Sequence, residues 1–185
     1  MDLPFETARL ILRPLGPQDA VTFSTYRSDP QVARYQGWEA PFSLKQAQDF
    51  IAEMISQEPG QPGQWYQIAL ERKEDGQLIG DCAFHISDDG QQAEIGMTLA
   101  PAFQGHGYAR EAVACLLEKL FISLQVHRVF ANVDPANRGS INLLTYLGFR
   151  CEGCFRQSMW LKNEWVGEQW YAILREEWLA VHSNK

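Results

Sequence analysis

Residues 93–113, AEIGMTLAPAFQGHGYAREAV, carry the clearest structural pattern in this chain. Their first eight residues favour a β-strand, and the apolar residues after Tyr108 recur at helical spacing. Between them lie two glycines, Gly105 and Gly107. This order of strand, glycine turn and helix predicts a phosphate- or pyrophosphate-binding loop. The first turn of a helix offers unpaired N–H groups and the positive end of the helix dipole, and glycines leave room for an anion.

Two common phosphate-binding motifs do not fit this loop. The Lys-Ser or Lys-Thr pair of the P-loop does not follow the glycines, and the third glycine of the dinucleotide fingerprint is replaced by Arg110. A tight turn without a ligand explains two glycines equally well. The loop alone therefore leaves an anion site and a plain turn as alternatives.

The rest of the chain alternates between strand and helix patterns. Hairpin-type turns, EDG at 74–76 and DDG at 88–90, predict an antiparallel arrangement of the central strands. The sequence therefore predicts an α/β fold with a mixed sheet. Strands are expected over 8–15, 65–72, 77–86, 93–100, 128–133, 149–157 and 164–174, and helices over 17–27, 43–58, 108–124 and 137–148.

Composition narrows the class of protein. The chain has 185 residues, 45% of them hydrophobic, which is enough for the core of one domain. Its net charge of −7 argues against binding to nucleic acid and mildly favours cationic partners. No apolar run is long enough for a membrane span, and the first residues do not resemble an export signal. We expect a cytoplasmic protein with four reduced cysteines and no membrane partner.

Several segments resemble one enzyme family. The hexapeptide from Gln104 to Ala109, QGHGYA, resembles the Q/R-x-x-G-x-G/A signature of the GNAT superfamily of N-acetyltransferases. The whole stretch 93–113 is similar to the strand, pyrophosphate loop and helix of that fold, and the resemblance extends from about residue 6 to 178. Further similar segments are ANVDPANRGSINLLTYLGFRCEG and, as in the RimJ/RimL-like branch, TARLILRPL, DPQVARYQGW and WYAILREEW.

The resemblance implies a single acetyl-CoA-dependent domain over 1–185. It implies a mixed, mostly antiparallel twisted sheet of about six to seven strands with helices on both faces. The implied reaction is direct attack of a primary amine on acetyl-CoA in a ternary complex, without a metal. The acceptor would be a protein N-terminal amine or a small cationic amine, and the enzyme a monomer or homodimer.

The resemblance also implies which residues bind the cosubstrate. The pantetheine arm would follow the strand, and the pyrophosphate would meet the backbone of the loop. Asn137 and Ser140 match a turn that contacts the CoA arm, although helix capping alone would explain both residue types. The cofactor-binding residues are therefore predicted to be Met97, Thr98, Leu99, Gln104, Gly105, His106, Gly107, Tyr108, Ala109, Arg110, Asn137 and Ser140.

The catalytic groups follow from the proton transfers that the reaction needs. An alkyl amine must lose a proton before it attacks, and Glu94 matches the general base of some relatives; alternatively it only orients water or the amine. The tyrosine acid of many relatives is replaced by Leu144, and Tyr146 lies about 200° further round the helix. Ser140 is the candidate acid, and protonation of the leaving thiolate by solvent is the alternative.

The cysteines suggest a metal site only by spacing. Cys151 and Cys154 are three residues apart, as are Cys82 and His85. Both pairs fall in predicted strands, where residues three apart point to opposite faces. We therefore expect no metal site.

Two other functions are compatible with the glycine loop. A module that binds or senses acyl-CoA without turnover would keep the loop and would not need Glu94. A nucleotide-binding α/β domain unrelated to CoA would bind ATP or NAD instead.

Overall fold

The computed structural model describes residues 1–182 as one sheet flanked by helices. The sheet has eight strands in the order β1-β2-β3-β4-β5-β6-β8-β7. Only β5 and β6 are parallel neighbours. The strands are β1 Phe5–Glu6, β2 Leu10–Pro14, β3 Trp65–Arg72, β4 Leu78–Ile86, β5 Gln92–Leu99, β6 Arg128–Val133, β7 Arg150–Leu161 and β8 Glu164–Leu174.

Six α-helices connect or follow these strands. A capping box begins α3, because the Ser43 side chain accepts from the Gln46 backbone and the Gln46 side chain accepts from the Ser43 N–H. A π-helical turn over Lys119–Ser123 continues α4. The helices are α1 Ala20–Arg27, α2 Pro30–Ala33, α3 Leu44–Ile55, α4 Tyr108–Glu118, α5 Arg138–Tyr146 and α6 Arg175–His182.

The mixed, mostly antiparallel sheet is confirmed, but the expected count of six to seven strands is one too low. The additional strand is β1, whose two residues pair with Leu12 and Ile11 of β2. Two residues are too few to show a period in the sequence. Helix α6 was also missed, because it begins directly after β8 without a glycine or proline to mark the change.

Helices cover both faces of the sheet, as expected. Strand β3 shows the division, because its side chains alternate between the two faces. Ile68 and Leu70 join the core formed with α4, whereas Ala69 joins the core formed with α1 and α3. The face towards α4 carries α5 and α6 as well, through Leu144 and Trp178.

The two central strands separate soon after they pair. Strand β5 pairs with β6 only from Gln92 to Glu94, opposite Arg128 to Phe130. Beyond Glu94, within the described residues, the edge of β5 that faces β6 has no strand partner, although β5 continues to Leu99. The sheet is therefore open at its centre, beside the loop that follows β5.

A β-bulge changes the orientation of the two cysteines in β7. Cys151 lies opposite Tyr171 and Cys154 lies opposite Gln169, with Glu152 as the extra residue. Their sulfur atoms are 3.6 Å apart. The expectation that these cysteines point to opposite faces is wrong, because the bulge restores them to the same side.

Candidate active site

The opening between β5 and β6 lies between two cavities. One, here called the α5-side cleft, has a volume of about 460 Å³ and is bounded by β5, the glycine loop and the start of α5. The other, the α3-side cavity, has about 880 Å³ and lies on the opposite face, against α3 and β3. A small cavity of about 100 Å³ lies between them at Gly96 and Met97.

Most of the predicted cofactor-binding residues line the α5-side cleft. The exceptions come from the second half of the loop and the first turn of α4. Gly107 and Arg110 line a separate groove between α4 and α6, Tyr108 is buried, and His106 is exposed to solvent. The residues that do line the cleft are Met97, Thr98, Leu99, Gln104, Gly105, Ala109, Asn137 and Ser140.

The glycine loop has the backbone that an anion site requires. Gly105 and Gly107 have φ angles of +78° and +82°, which residues other than glycine rarely adopt. Gly107 is the N-cap of α4, and the first hydrogen bond of the helix runs from Glu111 N–H to the Gly107 carbonyl, at 3.2 Å. The N–H groups before Glu111 therefore have no acceptor within the helix.

Side chains on both sides hold this loop in place. The Gln104 amide donates to the carbonyl of Leu99 at 3.0 Å, which ties the loop to the end of β5. Arg9 donates to the His106 carbonyl at 3.0 Å and forms an ion pair with Glu111 at 2.7 Å. Arg9 was not predicted to contact the loop, because it lies between β1 and β2, far from the loop in sequence.

The opposite wall of the cleft is the first turn of α5. The Asn137 side chain accepts from the Ser140 N–H at 3.2 Å, so Asn137 is the helix cap. Leu144 is buried, whereas Tyr146 is 63% exposed and lies under the Arg110 guanidinium, 3.9 Å from its ring centre. Tyr146 therefore faces away from the cleft, as the helical geometry predicts.

Glu94 lies in the α3-side cavity, on the opposite side of the sheet from the glycine loop. It is half-buried and directly opposite His85 on β4. Burial raises the pKa of the Glu94 carboxyl above its ordinary value of 4.5, nearby His85 lowers it, and the negative charge of Glu168 raises it further. A half-buried carboxylate with a raised pKa has the properties of a general base.

The α3-side cavity combines carboxylates with aromatic rings. Besides Glu94, its lining includes Glu53, Trp38, Phe50 and Trp65. All of these groups border the same space of about 880 Å³. Carboxylates and exposed aromatic rings such as that of Trp65 attract cations, so this lining favours a positively charged occupant.

The cation on this lining, Arg27, is already neutralised. Its guanidinium donates to the buried Asp81 carboxylate at 3.1 Å and is 4.0 Å from the ring centres of both Phe23 and Trp38. Tyr26 and Gln67 donate to the same carboxylate. Because Arg27 is paired with Asp81, its charge does not neutralise Glu94 or Glu53.

Two further residues that line these cavities were not predicted from the sequence. Tyr35 and Gln36 follow α2 and border both the α5-side cleft and the small cavity between the strands. The Gln36 amide lies 3.4 Å from the Met97 carbonyl, and the Tyr35 hydroxyl donates to the Ala136 carbonyl at 3.4 Å. Their segment carried a family resemblance, but only the fold brings it beside β5.

The open sheet and the positive-φ glycine loop together form a site that suits an anionic ligand at the start of α4. The sequence profile of the Acetyltransferase (GNAT) domain matches residues 9–150. The chain therefore belongs to the GNAT acetyltransferases, a family that uses acetyl-CoA.

Individual relatives agree with this assignment. The uncharacterized N-acetyltransferase p20 of Bacillus licheniformis is 35% identical over 173 residues, which cover 93% of this chain and 96% of the relative. The crystal structure of a GNAT-family acetyltransferase from Bacillus anthracis superposes with a TM-score of 0.86 at 27% identity, over 95% of this chain and all of the other. Mycobacterium smegmatis RimJ in complex with CoA-disulfide shares the fold, with a TM-score of 0.79 at 24% identity over 94% and 89% of the chains.

Within residues 1–182, no three His, Cys, Asp or Glu side chains form a group that could hold a metal ion. No helix in that range is long and apolar enough to cross a membrane.

Proposed function

We propose that this acetyltransferase moves the acetyl group of acetyl-CoA to a primary amine by direct attack in a ternary complex. The observation that carries the proposal is the opening between β5 and β6. Met97 borders both the α5-side cleft and the α3-side cavity, so a thioester and an amine entering from opposite faces would meet there. Such an arrangement aligns two reactants without a covalent enzyme intermediate.

The residues of the α5-side cleft fit acetyl-CoA. A Cβ built on Gly105 would meet no atom within 4 Å, so there is open space beside the loop for a pyrophosphate. The unpaired N–H groups at the start of α4 suit its charge. The edge of β5 from Met97 to Leu99 has no strand partner and suits a pantetheine amide, while the Gln36 and Gln104 side chains contact the Met97 and Leu99 carbonyls. When bound, acetyl-CoA supplies an activated acyl group and a thiolate leaving group.

Glu94 is proposed as the general base that removes a proton from the acceptor amine. The support is its position in the α3-side cavity and the raised pKa of its carboxyl. The alternative, in which Glu94 only orients the amine or a water, predicts a rate that does not follow the ionisation of Glu94.

The proton for the leaving thiolate has two candidate donors in the α5-side cleft. Ser140 is the donor expected from the sequence, and Tyr35 is a second hydroxyl in the same cleft. A phenol is the stronger acid, with a pKa near 10. We expect the true donor to be the residue whose removal lowers kcat while the Kd for acetyl-CoA stays unchanged. Ser140→Ala and Tyr35→Phe are the matched variants, and an unchanged kcat in both would favour solvent.

The acceptor is proposed to be a cationic amine, either a protein N-terminus or a small amine. The support is the carboxylates and aromatic rings of the α3-side cavity and the net charge of −7. Thiol release from acetyl-CoA with a panel of peptides, polyamines, aminoglycosides and amino acids tests the proposal. We expect turnover with panel members of net positive charge and none with members of similar size that carry no net charge.

The same panel distinguishes catalysis from simple binding. Tight CoA binding without turnover on any amine would support a sensing module instead. A thermal shift with ATP or NAD but none with CoA would support an unrelated nucleotide-binding domain. The cytoplasmic location and the monomeric or homodimeric state remain predictions.

A further inference from the structure

Strand β7 carries a pair of cysteines that the acetyl-transfer site does not use. Cys151 and Cys154 line neither the α5-side cleft nor the α3-side cavity. They lie opposite Tyr171 and Gln169, which are two residues apart on β8 and therefore face the same side of the sheet. The bulge at Glu152 thus places two thiols side by side on a strand at the edge of the sheet.

The two thiols are in direct contact and exposed. Their sulfur atoms are 3.6 Å apart, and neither thiol is part of a disulfide. The other two cysteines differ in surroundings, because Cys82 is completely buried and Cys115 is half-buried. A small oxidant in solution can therefore reach Cys151 and Cys154 far more easily than Cys82.

We propose that Cys151 and Cys154 are a modification site, a dithiol that a hydroperoxide oxidises to an intramolecular disulfide. The thiolate of one cysteine attacks the peroxide O–O bond, which yields a sulfenic acid and, with hydrogen peroxide, one water. The second thiol then attacks the sulfenic sulfur, forms the S–S bond and releases a second water. Two thiols are oxidised and one peroxide is reduced, so atoms and electrons balance.

The position of the pair fits reversible chemistry better than a structural bridge. A bond between residues 151 and 154 closes a very short loop, and such a loop constrains the unfolded chain little. Both sulfurs face solvent, so a thiol reductant also reaches the product. A metal would need further ligands, and the residues described here provide no group of three.

The test is a count of free thiols in the purified full chain. Reduced protein, denatured and treated with N-ethylmaleimide, should take four labels, one for each cysteine. After hydrogen peroxide the count should fall to two and the unlabelled mass should fall by about 2 Da. Dithiothreitol should restore both values. Peptide mapping should place the bond between Cys151 and Cys154.

Single substitutions provide the controls. Cys154→Ser and Cys151→Ser should abolish the mass loss and gain oxygen instead, as sulfenic or sulfinic acid. The Cys115→Ser variant keeps both cysteines of β7, so it should still lose mass after hydrogen peroxide. The proposal fails if, at a peroxide concentration that oxidises Cys151 in the Cys154→Ser variant, the parent protein keeps four free thiols. It also fails if the mass loss persists in Cys154→Ser, or if the product is a disulfide-linked dimer.

Discussion

Replacing Glu94 by Gln removes the proposed base and keeps the size of the side chain. Loss of a general base lowers rates by about 10²- to 10⁴-fold, so we expect a fall in kcat of that order. Acetyl-CoA affinity should stay the same, because Glu94 lies in the α3-side cavity and not in the α5-side cleft. Stability should rise at neutral pH, because burial raises the pKa of Glu94 and the ionised carboxylate therefore opposes folding.

The pH dependence follows with a defined sign. Because the folded-state pKa of Glu94 is raised, its cost to stability is present above that pKa and disappears as the pH falls below it. The stability gain of Glu94→Gln should therefore shrink towards acidic pH. As a base, Glu94 must be ionised, so kcat in the parent enzyme should decline as the pH falls through the pKa that Glu94 has with both substrates bound.

The assay is thiol release from saturating acetyl-CoA and acceptor over a pH series, with the acid limb of kcat as the readout. Two neighbours test its assignment. Glu168→Gln removes a negative charge and should move the limb to lower pH, whereas His85→Ala should move it to higher pH, since the charge of His85 lowers the pKa of Glu94. A Glu94→Gln enzyme that keeps kcat within tenfold and the same acid limb would refute the role of base.

Substitutions at three further places test other parts of the molecule, two of them with a matched control. Gly105→Ala and Gly76→Ala both place alanine at positive φ with open space around it, so each should lose about 1 kcal/mol of unfolding free energy; only Gly105→Ala should weaken acetyl-CoA binding, by about tenfold. Asn137→Ala removes the cap of α5 and should cost about 1 kcal/mol by thermal denaturation, whereas Asn137→Asp should restore it. Asp81→Asn leaves the buried Arg27 charge unpaired and should cost about 3–5 kcal/mol by urea denaturation; a loss below about 1 kcal/mol would show that the network is dispensable.

Elements bounded by turn residues could be predicted from the sequence. Strands β3 and β6 have the expected limits, because glycine, proline or polar turns interrupt their apolar pattern. Strand β8 also has the expected limits, although α6 follows it without a turn. Gly148, the last residue of the helix expected over 137–148, has a φ of +90° as a helix-ending glycine should. The mixed sheet followed from the same local signals, since short turns force neighbouring strands to be antiparallel.

Features that depend on contacts between distant segments could not be predicted. The glycine loop and the part of β5 that lines the α5-side cleft could be predicted from the sequence, because they form one continuous segment. Tyr35 and Gln36 enter the site from α2, and Arg9 reaches the loop from before β2. The bulge that pairs the two cysteines is equally hidden, because one extra residue in a strand leaves no local pattern that a period of two reveals.

The opening at the centre of the sheet separates the two proposed halves of the site by face, whereas β5 contributes to both of them. The proposed cosubstrate contacts come mainly from β5, the glycine loop and α5, and the α3-side cavity is lined by β5 together with α3, β3 and the segment around Trp38. Of the two cavities, α3 lines only the α3-side one, so in the proposed arrangement substitutions in α3 would change which amine is accepted while the acetyl-CoA cleft remains intact. A new amine specificity would then require changes in α3 and not in the shared strand.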